Sequence, residues 1–504
     1  MTEKYIDKII KARVYDVAKE SALDKASLLS QRMGCNVYLK REDLQQVFSF
    51  KLRGAYNKIV QLSQVELERG VIAASAGNHA QGVALAAAKL GVPATIVMPR
   101  TTPSIKVDSV RSHGAKIILH GDAYDDAYEY CMILAEKHKL TFVHPFDDPD
   151  VIAGQGTVAM EILHQFTDDI HAIFVPVGGG GLIAGMSAYI KHVRPNIKVI
   201  GVEPEDAPCM QQALLNDERV ILDQVGIFAD GVAVRQVGQE NFRIARSCVD
   251  DMVLVTTDEI CAAIKDIFDD TRSIMEPAGA LAVAGMKKYI RQHSLVNENI
   301  IAVNSGANLN FDRLRHVAER AELGEQREAL LAVTIPEKAG SFRQFCKAIA
   351  DRGITEFNYR YADDNDAHIF AGIQLRNGIE EKQELLCHLH ELGYPVLDMT
   401  DNEMAKIHIR YMVGGHAKSV TNELIYRFQF PERPGALLRF LTQMGQDWNI
   451  SLFHYRNHGA DYGRVLVGIQ VAEDDRARFD QFLLQLGYEY WHEQDNQAYS
   501  LFLG

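Results

Sequence analysis

Between about residues 35 and 305, short unbroken apolar runs alternate with amphipathic segments, and this rhythm constrains the chain more than any other feature. Val71-Ile-Ala-Ala74 leads to a helical pattern from Ala80 to Leu90, then come Ala94 to Met98, a second helical pattern from Ile105 to His113, and Lys116 to Leu119. Ala172-Ile-Phe-Val-Pro-Val177 and Lys198-Val-Ile-Gly-Val-Glu203 continue the series. A short apolar run without polar alternation suits a strand buried on both faces, which requires helices on either side of its sheet. The pattern predicts an α/β region built on an open, mostly parallel sheet, with ligands at the carboxyl ends of its strands.

Past Ala318 the texture changes. Glu319-Arg-Ala-Glu-Leu-Gly-Glu-Gln-Arg-Glu328 is a charged connector, and the chain then repeats itself. Ile335-Pro-Glu-Lys-Ala-Gly-Ser-Phe342 returns as Phe430-Pro-Glu-Arg-Pro-Gly-Ala-Leu437, an offset of 95 residues. Glu356-Phe-Asn-Tyr-Arg360 returns as Leu452-Phe-His-Tyr-Arg456, Ala371-Gly-Ile-Gln-Leu375 as Val467-Gly-Ile-Gln-Val471, and Leu392-Gly-Tyr394 as Leu486-Gly-Tyr488. Matches in one order at a nearly constant offset mark a duplicated unit. Each copy reads strand, Pro/Gly turn, helix, strand, strand, helix, strand, an α+β ferredoxin-like order. The expected division is 1–320, a connector over 321–329, a first copy over 330–400, a linker over 401–422 and a second copy over 423–504. Two such copies in tandem resemble the ACT-type module, which binds amino acids; gluing subunits together is the other use of such a pair.

The totals exclude several classes. A chain of 504 residues that is 47 % apolar fills more than one core, and its net charge of −14 argues against a nucleic-acid partner. Cys35, Cys131, Cys209, Cys248, Cys261, Cys346 and Cys387 stand singly, so no metal cage and no disulfide framework is expected. No apolar run reaches the length of a membrane span, which makes the cytoplasm the expected compartment.

Four stretches carry chemistry. Ser49-Phe-Lys-Leu-Arg-Gly-Ala55 sets Lys51 among apolar and small neighbours, where burial lowers an amine pKa and lets it form a Schiff base with an aldehyde. Ser75-Ala-Gly-Asn-His-Ala-Gln-Gly82 follows a strand and opens a helix, an arrangement that offers N–H groups to an anion and the Asn78 amide to a ring oxygen. Gly178-Gly179-Gly180-Gly181-Leu182 follows another strand, and its backbone suits a phosphate. Ser305, at the end of Ile300-Ile-Ala-Val-Asn304, presents a hydroxyl suited to a heteroaromatic nitrogen. A rival shares the third stretch: Gly179-x-Gly181-x-x-Ala184, with Glu203 closing the next strand, fits a dinucleotide fingerprint and hence a nicotinamide oxidoreductase. That rival leaves Lys51 and the 75–82 stretch without a use, whereas a phosphorylated aldehyde uses all of them.

These stretches, together with Glu276-Pro-Ala-Gly-Ala280, occur in the order seen in fold-type II pyridoxal-phosphate enzymes, whose catalytic region is tryptophan synthase β-like and contains two α/β subdomains. The whole chain resembles the biosynthetic threonine dehydratases (threonine ammonia-lyases), the tail carrying Glu322-Leu-Gly-Glu-Gln-Arg-Glu328, Thr355-Glu-Phe-Asn-Tyr359 and Asn449-Ile-Ser-Leu-Phe-His-Tyr455. The resemblance implies pyridoxal 5′-phosphate on Lys51, its phosphate on Gly178, Gly179, Gly180, Gly181 and Leu182, its 3-oxygen on Asn78 and its ring nitrogen on Ser305, with the substrate carboxylate at 75–79. It further implies L-threonine, and L-serine, as substrates, feedback by isoleucine and valine, and a homotetramer. A catabolic serine/threonine dehydratase or racemase is the neighbouring reading, and an amino-acid sensor without catalysis rests on the repeats alone. Two positions depart from the pattern: Gln46 stands where proline is common, and Ala278 where serine is frequent.

Overall fold

A computed structural model describes residues 3–336, 341–349, 352–359, 366–411, 420–431, 440, 443–444, 448–456 and 462–503. It divides into two units, Met1–Val317 and Ala318–Gly504.

The first unit holds ten strands: β1 Leu23–Lys25, β2 Asn36–Arg41, β3 Val71–Ala74, β4 Ala94–Met98, β5 Lys116–Leu119, β6 Thr141–Phe142, β7 Ala172–Pro176, β8 Lys198–Pro204, β9 Asp251–Val255 and β10 Asn299–Asn304. The apolar runs are strands, as their composition requires, and they fall into two sheets. The larger has the order β1-β2-β10-β7-β8-β9 and is parallel except for β1; the smaller is β5-β4-β3-β6, parallel throughout. Every residue of β3 and β7 is buried, whereas β5 has exposed residues at both ends. This is the difference between inner and edge strands, and it explains why the inner runs show no polar alternation. Each sheet has its own core. Helix Gly181–Val193 contributes Ile183, Ala184 and Met186 to the larger, and helix Asn78–Leu90 contributes Ala80, Val83 and Ala84 to the smaller.

The interior of the first unit also holds a cluster of charges. Arg53, fully buried, bonds Glu42 and Glu161 at 2.5–3.0 Å, and Lys40 Nζ reaches Glu161 at 2.7 Å. The run Lys40-Arg41-Glu42-Asp43 is therefore interior, not solvated: Arg41 in turn grips Asp43 and Asp24. These pairs tie β2 and helix Pro149–Gln165 to helix Lys51–Ile59, whose first residue is the candidate lysine.

In the second unit the duplication is structural. Strands β11 Glu328–Pro336, β12 Ile354–Tyr359, β13 Asp366–Gln374 and β14 Val396–Asp398 have the sheet order β12-β13-β11-β14. Strands β15 Glu423–Pro431, β16 Asn449–Arg456, β17 Tyr462–Gln470 and β18 Tyr490–His492 repeat it as β16-β17-β15-β18. Even the irregularity recurs, with a register shift between Ile354 and Glu356 in one copy and between Ile450 and Leu452 in the other. A core containing Leu330, Ala332 and Phe370 of the first copy and Ile425, Leu466 and Tyr499 of the second joins the two. The Pro/Gly turns expected at 337–340 and 432–437 lie outside the described residues.

Candidate active site

Three strand ends converge on one pocket. β3 ends before Ser75-Ala-Gly-Asn78, β7 before Gly178–Gly181, and β10 before Ser305; β10 lies between β2 and β7 in the sheet. Lys51, Asn78, Gly178, Gly179, Gly180, Gly181, Leu182 and Ser305 line this pocket, which encloses about 510 Å³ of open space with its mouth included. The residues singled out from the sequence are thus brought together, at the carboxyl edge that parallel sheets offer to ligands.

Lys51 is half-buried, and its Nζ donates to the carbonyl of Pro145 at 3.1 Å. Burial pushes its pKa down to about 8 while the negative charge of Glu276 opposes the fall. Glu276 is itself buried, and desolvation together with the nearby Asp230 pushes it up to about 7. Asn78 links the two sides of the pocket: its Nδ2 donates to Glu276 Oε1 at 2.5 Å, and its Oδ1 accepts from Asn308 Nδ2 at 2.6 Å. The amide Nδ2 keeps a second N–H, and Asn78 lines the pocket. Among the described residues the Ser305 hydroxyl makes one long bond, 3.3 Å, to the carbonyl of Ala278. His79 turns away: its Nε2 donates to the Val143 carbonyl at 2.8 Å, and burial with the Lys51 charge drives its pKa down to about 3. Of the 75–79 stretch, the helix N-terminus is therefore the part suited to an anion, not the imidazole.

The glycine loop has no room for side chains. A methyl group on Gly179 would sit 2.2 Å from the Phe146 ring, and one on Gly181 would sit 2.9 Å from the Phe146 carbonyl oxygen. Gly180 has φ +91°, which glycine adopts without strain. The carbonyl of Gly179 accepts from Gly238 N at 3.0 Å and Asn241 Nδ2 at 2.7 Å, which fixes the loop from outside. Helix Gly181–Val193 starts here, so its dipole and unpaired N–H groups favour an anion.

These residues fit pyridoxal 5′-phosphate: an amine with a lowered pKa, a glycine loop at a helix N-terminus, an amide donor and a hydroxyl lie around one cavity. Ser49 Oγ and Gln155 Oε1 are buried with no hydrogen-bond partner among the described residues, and Gln155 lines the pocket. The dinucleotide reading fails on Glu203. That carboxylate is wholly buried and accepts from Met210 N at 2.7 Å and Gln211 N at 2.9 Å, capping helix Cys209–Asn216 instead of facing a ribose. Gln155, Phe146, Gly231 and Val232 were not singled out from the sequence, because they come from loops and helix faces without a motif. Glu276 was visible only as part of Glu-Pro-Ala-Gly-Ala.

The profile of a family described as pyridoxal-phosphate dependent enzyme matches residues 16–306, so fold and site together define a pyridoxal-phosphate dependent enzyme. A profile described as the C-terminal regulatory domain of threonine dehydratase matches 319–409 and 414–503. The L-threonine dehydratase biosynthetic IlvA of Burkholderia multivorans is 58 % identical over 99 % of this chain and 99 % of its own, and that of Escherichia coli is 52 % identical over 99 % and 97 %. Among solved structures, the processed form of threonine deaminase isoform 2 from Solanum lycopersicum superposes with a TM-score of 0.63 at 52 % identity, over 64 % of this chain and 88 % of that one. The chain belongs to the biosynthetic threonine dehydratase family.

Proposed function

We propose that this enzyme converts L-threonine to 2-oxobutanoate and ammonia by eliminating water, the first step towards isoleucine, and that isoleucine inhibits it. The observation that carries the reading is the placing of Lys51, whose burial lowers its pKa to about 8, in one pocket with the glycine loop of 178–181. When bound, pyridoxal 5′-phosphate supplies an aldehyde for an amine and a conjugated ring that takes up electron density from Cα.

Lys51 would hold the aldehyde and, as a free neutral amine, would take the Cα proton as general base. The backbone N–H groups of Gly178–Leu182 would bind the phosphate. Asn78 would donate to the ring oxygen, and Ser305 would offer the ring nitrogen a neutral hydroxyl. The N–H groups at the start of helix Asn78–Leu90 receive the substrate carboxylate, which orients Cα towards Lys51. The Cβ hydroxyl would leave as water, its second proton balanced by the one Lys51 takes from Cα, and the resulting enamine would become an imine that one water hydrolyses to the oxo acid and ammonia. Serine gives pyruvate by the same route. Ala278, where a hydroxyl is frequent in the family, leaves that wall of the pocket apolar.

The tandem copies bind isoleucine, with valine as a second effector, and the enzyme works as a homotetramer in the cytoplasm; no helix among the described residues is long and apolar enough to cross a membrane. Oxo-acid formation from threonine and serine, with and without isoleucine, tests the reading. A truncation after Gly324 is expected to keep dehydratase activity and lose the isoleucine response; full inhibition of the truncated enzyme contradicts the regulatory role of the tail.

A further inference from the structure

Asp230, Gly231 and Val232 form a single turn of 3-10 helix, and the last two line the pocket. The turn is tightly seated. A methyl group on Gly231 would lie 2.9 Å from Ala278 Cβ, and one on Gly178 would lie 2.8 Å from Val232 Cα. Backbone packed this closely against the phosphate loop has no independent freedom, so whatever holds the turn also holds the cradle.

Asp230 is gripped from two sides. Lys106 Nζ donates to Oδ2 at 2.7 Å, and Arg313 Nη1 lies 3.4 Å from Oδ1. Arg313 is buried and also donates to the Phe228 carbonyl at 3.2 Å, while the Phe228 ring rests on His316 at a centroid distance of 5.4 Å. Burial opposes ionisation of Asp230, but the charges of Lys106 and Arg313 outweigh it and hold the carboxyl well below the usual range. The clamp is an ion triad partly shielded from water, where charge pairs are stronger than on an open surface.

The two arms lead to different places. Lys106 lies on helix Ser104–Ser112, which follows β4 of the smaller sheet. Arg313 opens helix Arg313–Gly324, and that same helix continues into the second unit. There Arg320 Nη2 pairs with Glu403 at 2.6 Å, and Leu323 is buried with Met399, Met404 and Ile409. We propose that Asp230 is a positioning residue whose double clamp holds the Gly231–Val232 wall of the site, and that its Arg313 arm is the one through which the regulatory unit acts. With isoleucine bound, the second unit pulls on Arg320 and Leu323, draws Arg313 off Asp230 and frees the turn from the cradle, whereas a chain cut after Gly324 exerts no pull and keeps the clamp. This deepens the feedback reading above and rests on it.

The test uses full-length holoenzyme carrying Lys106→Met, Arg313→Met or the charge-keeping Arg313→Lys. Cofactor loss after dilution is followed by absorbance, isoleucine binding by calorimetry, and inhibition by 2-oxobutanoate formation. Both Met variants lose cofactor about threefold to tenfold faster than wild type, as expected for one weakened charge-assisted bond. Isoleucine still binds Arg313→Met within about threefold of wild type, yet half-inhibition requires about tenfold more of it; Lys106→Met stays near wild type, and Arg313→Lys recovers part of the response. Wild-type half-inhibition in Arg313→Met overturns the proposal, and so does an equal loss of response in Lys106→Met. A wild type that isoleucine does not inhibit refutes the feedback reading and the regulatory arm with it. Cofactor loss unchanged in both Met variants refutes the clamp independently.

Discussion

Replacing Gly179 by alanine places a Cβ atom 2.2, 2.3 and 2.5 Å from three carbons of the Phe146 ring. Non-bonded carbons rest about 3.5–4.0 Å apart, so the ring or the loop must retreat by more than about 1 Å. Neither moves freely. The Phe146 amide donates to His144 Nδ1 at 3.2 Å and its carbonyl accepts from Asn241 Nδ2 at 3.1 Å, while the neighbouring Pro145 carbonyl holds Lys51. The loop is tied through the Gly179 carbonyl to Gly238 and Asn241. Overpacking of this kind costs about 1–3 kcal/mol. Borne by the cradle, it weakens pyridoxal-phosphate binding by about five- to 150-fold. Fluorescence titration of the apo-protein with the cofactor measures that loss, and urea unfolding of the same samples measures any share taken by the fold. Binding within about twofold of wild type, with an unchanged unfolding midpoint, would refute the claim that the loop is packed to its limit against Phe146.

Other outcomes follow from the same geometry. Lys51→Ala removes both the aldehyde anchor and the base, and 2-oxobutanoate formation is expected to fall by at least about 10³-fold while unfolding stays cooperative. Arg53→Met leaves Glu42 and Glu161 buried without their shared cation; urea unfolding should show a loss of about 3–5 kcal/mol. Because only a neutral amine captures an aldehyde, the lowered pKa of Lys51 sets the pH response of cofactor uptake. With a value of about 8, roughly one amine in ten is neutral at pH 7, against about one in three thousand for an ordinary lysine. Uptake by the apo-protein, followed by absorbance in stopped flow, should rise about tenfold per pH unit up to about pH 8 and then level off; a rise continuing to pH 10 contradicts the lowered pKa.

The sequence shows the parts of this protein that local rules govern. Buried strands such as β3 and β7 appear as unbroken apolar runs because both faces are covered, and the loop after β7 appears as four glycines because an added carbon would meet Phe146 at Gly179 and Gly181, Val232 at Gly178 and Met210 at Gly180. The tandem copies are visible because their pairing, down to the register shift on β12 and β16, was duplicated with them. Long-range pairing is what the sequence hides. Lys40, Arg41, Glu42 and Asp43 resemble a solvated charge run, since their main partners, Glu161 and Arg53 among them, lie elsewhere in the chain. Glu203 sits at a position suited to a ribose, and only the path of the chain after β8 shows that it caps a helix. The partition of the strands into two sheets, the pocket walls from Phe146, Gln155 and Val232, and the raised pKa of Glu276 depend likewise on tertiary neighbours that no spacing encodes.

The central claim is that Lys51 carries pyridoxal phosphate and turns threonine into an oxo acid. Borohydride reduction of the holoenzyme followed by peptide mass mapping tests it most directly, run beside a threonine assay on the unreduced protein. The account predicts the reduced cofactor on the peptide containing Lys51, loss of activity in step with that labelling, and 2-oxobutanoate and ammonia in equal amounts from the untreated enzyme. Labelling at another lysine, or full turnover after Lys51 has been reduced onto the cofactor, contradicts it.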